Sequence, residues 1–114
     1  MITVYGIRNC DTVKKARRWL DEHGVAYRFH DFRADGLDDA SLGAWCAALG
    51  WEALLNRKGT TWRKLPDREK QISTSPEAMR LMLENPTLIK RPVLVSGDKV
   101  LVGFDEALYR QFLP

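Results

Sequence analysis

Apolar residues along this chain change rhythm in a fixed order, and the changes mark its elements. Ile2, Val4 and Tyr5 form an almost continuous apolar run, the pattern of a short buried strand. Val13, Ala16 and Leu20 then recur at spacings of three and four, predicting a helix whose inner face they make, with Trp19 flanking the stripe. Gly24 supplies the stop after His23. From Ala26 to Phe32 apolar and polar residues alternate, as in a half-buried strand. Strand, helix and strand so close together form a βαβ unit with parallel strands and a right-handed crossover.

From Leu37 to Leu88 the rhythm is helical only. Asp38 reads as an N-cap, with Leu37 and Leu42 placed for a hydrophobic staple. Leu42, Trp45, Cys46 and Leu49 fall on one stripe ended by Gly50, which makes Cys46 a buried packing residue. Trp51 to Leu55 continues as a short apolar helix, and Thr60 is placed to cap another before Pro66. Ser75 followed by Pro76 reads as an N-cap and first-turn proline, leading into Met79, Leu81, Met82 and Leu83.

Strands return at the end. Pro92 to Ser96 and Lys99 to Val102 flank Gly97-Asp98, a two-residue turn that predicts an antiparallel hairpin. A last helix from Asp105 to Leu113 places Ala107, Leu108 and Phe112 or Leu113 on its inner face. The order βαβ, helices, ββα fits an α/β thioredoxin-like fold, made by residues 1–35 and 88–114, with a helical insertion over 36–87 in a single domain.

A chain of 114 residues suffices for one core. Eighteen basic against fifteen acidic residues leave a net charge of +3. This suits anionic small molecules, but the cations are scattered among acidic residues, so direct nucleic-acid binding is not expected. The dense run Lys14-Lys15 and Arg17-Arg18 fans around the exposed side of the first helix. No signal peptide or membrane-length apolar stretch is visible, and the chain reads as cytoplasmic with no membrane partner. Two cysteines in a reducing compartment read as one reactive thiol and one bystander. His23 and His30 stand in no metal-ligand spacing with either cysteine, so no metal is expected.

The chemistry concentrates where the first strand meets the first helix. Cys10 sits at that turn, where the unpaired N–H groups of Asp11, Thr12 and Val13 and the positive end of the helix favour a thiolate over a thiol. Arg8, Lys14 and Lys15 add positive charge, and Asp11 works against it. Arg91-Pro92 is the second place of interest. Pro92 reads either as an ordinary trans proline opening an edge strand or, as the element order favours, as the cis-proline that precedes the third strand of thioredoxin-like folds and packs beside the reactive cysteine, which would bring Arg91 toward Cys10. An arginine there can pair bidentately with a carboxylate or an oxyanion.

The segments Gly6-Ile7-Arg8-Asn9-Cys10-Asp11-Thr12, Leu54 to Leu65 (Leu-Leu-Asn-Arg-Lys-Gly-Thr-Thr-Trp-Arg-Lys-Leu), Asn85-Pro86 and Ile89-Lys90-Arg91-Pro92, in this order, resemble the arsenate reductase (ArsC) and Spx family, and its YffB-like branch in particular. The resemblance implies a catalytic Cys10. It implies a site completed by Arg91 and by a cation from Arg57 or Lys58, with Thr12 as the hydroxyl residue of the anion loop; together with the residues around the helix start, the candidates for substrate or anion binding are Arg8, Asn9, Asp11, Thr12, Val13, Arg57, Lys58, Arg91 and Pro92.

Two departures shape the expected function. Spx-type regulators carry two cysteines separated by two residues, and Val13 stands at the second position here. A lone thiolate must be resolved by an external thiol, with glutathione as the abundant cytosolic cosubstrate. Arsenate reductases also carry a third arginine, and its position here falls on Gly103. The expectation is a glutathione-dependent thiol–disulfide oxidoreductase. The alternatives are a glutaredoxin-dependent arsenate reductase, with glutaredoxin as partner, or a regulator that binds RNA polymerase without catalysis.

Overall fold

The computed structural model describes residues 1–112. Its elements run β1 (Ile2–Gly6), α1 (Asp11–Glu22), β2 (Tyr27–Asp31), α2 (Asp39–Leu49), α3 (Trp51–Leu54), α4 (Thr60–Lys64), α5 (Ser75–Glu84), β3 (Val93–Ser96), β4 (Lys99–Val102) and α6 (Glu106–Phe112), with 3-10 turns at Asp67–Lys70 and Pro86–Leu88. The chain divides into two compact units. One is Met1–Asp35 together with the chain from Arg91 onward, and the other is Gly36–Lys90.

In the first unit four strands lie in the order β2-β1-β3-β4. β1 and β2 are parallel, with Ile2 opposite Tyr27 and Gly6 opposite Asp31. β3 runs antiparallel to β1 and β4 antiparallel to β3. The expected βαβ and ββα halves therefore share one sheet of thioredoxin-like topology. Side chains alternate across a strand, so Ile2, Val4 and Leu94 share a face; α1 and α6 cover it with Ala16, Trp19, Leu20, Tyr109 and Phe112. Gly24, at φ +65°, takes the left-handed turn that ends α1.

Two expectations for this unit need correction. Phe112 is buried as expected, but Ala107 and Leu108 are exposed, and Tyr109 takes their place on the inner face of α6. Leu113 lies outside the described residues. The large rings win because Tyr109 meets Trp19 edge-on at 5.6 Å and Phe104 at 5.2 Å, burying more apolar area than Ala107 and Leu108 could. The basic face of α1 is also less uniform than expected. Lys14, Lys15 and Arg18 are exposed, whereas Arg17 lies over the Phe29 ring at 4.1 Å and donates to the Tyr27 hydroxyl at 3.1 Å.

The helical unit is closed by its own ends. Leu55 bridges Ile89, with the Asn56 N–H donating to Leu88 O at 2.7 Å and the Lys90 N–H to Leu54 O at 2.8 Å. Asp38 caps α2 as expected, accepting from the Ser41 N–H. The other caps shift by one residue. Gly59, with Thr60 already helical, precedes α4, and Thr74, not Ser75, caps α5. Thr74 has the helix-start partner that Ser75 lacks: its hydroxyl accepts the Glu77 N–H and donates to the Glu77 carboxylate at 2.9 Å, a variant of the capping box. Cys46 is half-buried instead of fully buried, because Leu42 and Trp45 take the centre of the α2 stripe. No described helix is long and apolar enough to cross a membrane.

Tyr109 anchors α6 by a buried ring and by its hydroxyl, which donates to Gly103 O at 2.7 Å. Tyr109→Phe keeps the ring packing and deletes that bond. It should lower stability by about 1 kcal/mol, read from the urea midpoint; an unchanged midpoint would show that the hydroxyl contributes nothing.

Candidate functional site

The site begins with a close approach. A Cβ at Gly6 would lie 2.8 Å from Val13 Cγ2, and Val13 is fully buried, so glycine lets the start of α1 sit directly on the end of β1. The loop between them is short and delivers Cys10 to the N-cap position, with φ −135° and ψ 124°. Cys10 O accepts the first helical bond from the Lys14 N–H at 2.9 Å.

The Cys10 sulfur is partly exposed and forms no full capping hydrogen bond. The N–H groups of Val13 and Thr12 nevertheless act on it as near donors, a contact that a full negative charge would tighten. Burial pushes the thiol's pKa up. The Val13 N–H, the hydrogen bond and charge of Arg91, and the Thr12 N–H together outweigh burial and hold it below the ordinary cysteine value. Cys46 is the opposite case, since burial alone pushes its thiol up.

Sheet register explains why Arg91 reaches Cys10 from the far end of the chain. Tyr5 pairs with Val93 in the antiparallel β1/β3 ladder, so residues preceding Val93 lie at the end of the sheet where β1 gives way to Cys10. The Arg91–Pro92 peptide is cis, and Pro92 is buried. The Gly103 N–H donates to Pro92 O at 2.8 Å. Gly103 itself holds φ +86°, a conformation that arginine adopts only with strain, so the backbone here opposes a third arginine.

The remaining expected residues separate into roles. Asn9, Asp11 and Thr12 are exposed around Cys10, and Val13 offers only its N–H. The Arg8 side chain is 67% exposed, 3.8 Å from the Asp31 carboxylate and 5.8 Å from the Phe29 ring centroid. Arg57 and Lys58 belong to the helical unit. There the Arg57 guanidinium stands 5.7 Å from the Trp51 ring and 5.6 Å from Trp62, and Lys58 is exposed. A cavity of about 440 Å³ opens beside Arg57, lined also by Trp62, Lys70 and Ser73. Lys70 had no motif to mark it. Asp31 had one signal only, an acidic residue inside the predicted strand from Ala26 to Phe32. Among the described residues no three His, Cys, Asp or Glu side chains are grouped to hold a metal.

A thioredoxin-like sheet that presents a cysteine at the start of its first helix, with an arginine and a cis-proline beside it, defines a class of thiol-centred proteins. The chain belongs to the ArsC family, whose family model matches residues 5–112. Its fold superposes on the solved structure of the protein YFFB with a TM-score of 0.94, at 51% identity over 97% of both chains. An arsenate reductase (ArsC) related protein from Brucella melitensis is 48% identical, with a TM-score of 0.78 over 97% of this chain and 92% of that one. The global transcriptional regulator Spx of Streptococcus agalactiae is 32% identical over 116 aligned positions, spanning 100% of this chain and 84% of the relative.

The two thiols should separate in a competition. At pH 7 a neutral alkylating agent should modify Cys10 well before Cys46, as read by peptide mass spectrometry. Arg91→Ala should slow Cys10 by about three- to tenfold, because one charge-assisted contact to the thiolate is lost. Equal rates for the two cysteines would contradict the assignment.

Proposed function

We propose that the protein is a glutathione-dependent thiol–disulfide oxidoreductase with Cys10 as its nucleophile. The observation that carries this reading is the placement of Cys10 at the N-cap of α1 with Arg91 and the cis Arg91–Pro92 peptide beside it, where the Val13 N–H, Arg91 and the Thr12 N–H favour the thiolate although burial opposes it. A thiolate so placed is a competent attacking group, and its N–H neighbours donate to the sulfur and stabilise its charge when it is regenerated.

On a substrate disulfide formed with glutathione, the Cys10 thiolate attacks the glutathione sulfur. A Cys10–glutathione disulfide forms, the original S–S bond breaks, and the substrate sulfur leaves as a thiolate that takes a proton from water. A second glutathione, as thiolate, attacks the glutathione sulfur of the mixed disulfide. Oxidised glutathione leaves and Cys10 returns as thiolate, so two electrons pass from glutathione to the substrate. Cys46 takes no part, which matches its raised pKa and its place on α2. Arg91 pairs with an anionic group near the reacting sulfurs. In the helical unit, Arg57 and the cavity beside it are suited to a carboxylate.

Arsenate reduction fits less well. A compact oxyanion adduct needs several fixed donors around the sulfur, and losing one typically costs about a hundredfold to a thousandfold in rate. Gly103 leaves the third arginine's place without a cation. The Spx relatives are named as transcriptional regulators, and a role confined to binding would leave Cys10 dispensable.

Incubation with oxidised glutathione and mass spectrometry separate these readings. The natural protein and Cys46→Ala should gain one glutathione on Cys10 and lose it on adding reduced glutathione, whereas Cys10→Ser should gain none there and lose turnover of a glutathionylated substrate. Arsenate turnover with glutathione and a glutaredoxin should be weak beside disulfide turnover, and efficient arsenate turnover would favour the arsenate reductase reading. Turnover surviving in Cys10→Ser, or vanishing in a folded Cys46→Ala, would overturn the single-thiol mechanism.

A further inference from the structure

Asp31 is the one charged residue buried among the described residues, at 4% exposure, and the reaction above makes no use of it. It ends β2 directly opposite Gly6. One step further, the Phe32 N–H donates to Gly6 O at 2.8 Å, so the β1–β2 pairing persists to the point where β1 leaves the sheet. The Asp31 carboxylate then reaches from the end of β2 to the loop that follows β1. Its Oδ2 accepts the Arg8 N–H at 3.1 Å, while its Oδ1 accepts the N–H groups of Arg33 at 2.8 Å and Ala34 at 3.2 Å.

Arg8 lies two residues before Cys10, on the loop that carries the cysteine to the helix. Two features show that the backbone bond matters here more than the ion pair. The Arg8 guanidinium is 3.8 Å from the carboxylate on a side chain that is 67% exposed, a geometry that contributes little. The Arg8 N–H, by contrast, is tied to the carboxylate of a buried residue whose other oxygen is held by two further N–H groups. Only a carboxylate can accept at both oxygens. An asparagine would point an NH₂ group at one set of N–H donors.

We propose that Asp31 is a positioning residue for the Cys10 thiolate: by holding the Arg8 N–H it aims the loop that places Cys10 against the Val13 and Thr12 N–H groups and Arg91. The proposal rests on Cys10 being the reactive thiol, and it does not depend on glutathione. Two physical roles for Asp31 predict opposite signs. Acting through its charge, a nearby carboxylate disfavours the thiolate, and removing it would make Cys10 more acidic. Acting through position, it brings donors to the sulfur, and removing it makes Cys10 less acidic.

The test is the pH profile of Cys10 alkylation by iodoacetamide in a Cys46→Ala background, compared among the natural residue, Asp31→Asn and Asp35→Asn. Asp35 is the control, because its carboxylate accepts the Asp31 N–H at 2.9 Å in the same loop but does not touch Arg8. Asp31→Asn should move the profile to higher pH and slow alkylation at pH 7 by about three- to tenfold, with the rates converging in alkali. Asp35→Asn should lose stability and leave the profile in place. A profile unmoved by Asp31→Asn, or moved to lower pH, overturns the proposal. If Asp31→Asn does not fold, hydrogen exchange on the natural protein decides: protection of the Arg8 amide by about tenfold or more supports the tie, and exchange at the open-chain rate overturns it. Failure of glutathione turnover with the alkylation shift intact would remove the proposed reaction and leave this role standing.

Discussion

A sulfur at the first turn of a helix is the feature on which the thioredoxin-like unit depends for any chemistry. Bare N–H groups at a helix start are orphans that an anion can satisfy, and a thiol supplies that anion only if its ionised form is favoured. In this protein burial opposes ionisation and three groups reverse it: the Val13 N–H, the Arg91 side chain and the Thr12 N–H. Two of the three are backbone donors fixed by α1, so they need no reorganisation when charge develops. The third comes from more than eighty residues away, which only the sheet can arrange.

The surrounding structure makes sense as support for that arrangement. Gly6 allows α1 to start on top of β1, and fully buried Val13 holds it there. The antiparallel β1/β3 register returns Arg91 to the cysteine end of the sheet, and the Gly103 bond to Pro92 ties β4's end to the same point. Trp19, Tyr109 and Phe112 pack α1 and α6 onto one sheet face. Cys46 shows what a cysteine is without such support. It lies half-buried on α2, and its thiol is pushed up by burial with nothing favouring the thiolate.

Long-period features of this fold could be read from the chain, and features decided by contact could not. The β1, α1 and β2 pattern was clear because Val13, Ala16 and Leu20 keep one helical face and the flanking strands keep theirs. The hairpin at Gly97-Asp98 was clear because its turn chemistry is local. The inner face of α6 was misjudged because Ala107, Leu108, Tyr109 and Phe112 crowd a seven-residue helix, and only its packing against Trp19 decides between aliphatic and aromatic faces. Cys46 was misplaced because α2 is apolar almost all round, with Ala47 and Ala48 exposed, so its stripe is poorly defined. For the site, Cys10 announced itself through a strand, turn and helix start in sequence. Arg91 was singled out by the element order, because a proline opening the third strand of a thioredoxin-like sheet brings its neighbour toward the cysteine; no local pattern links it to Cys10. Asp31 was passed over because it stood as one polar residue within the alternating strand pattern from Ala26 to Phe32, and its three N–H partners lie on two separate segments.

If the fold itself stabilises the Cys10 thiolate, direct observation of ionisation shows it without any substrate. In a Cys46→Ala protein labelled with carbon-13 at cysteine Cβ, the Cys10 resonance should titrate with a midpoint below the free-thiol value of about 8.5, and the midpoint should rise when Arg91 is replaced by alanine. A midpoint at or above the free-thiol value, or one indifferent to Arg91, would contradict the account.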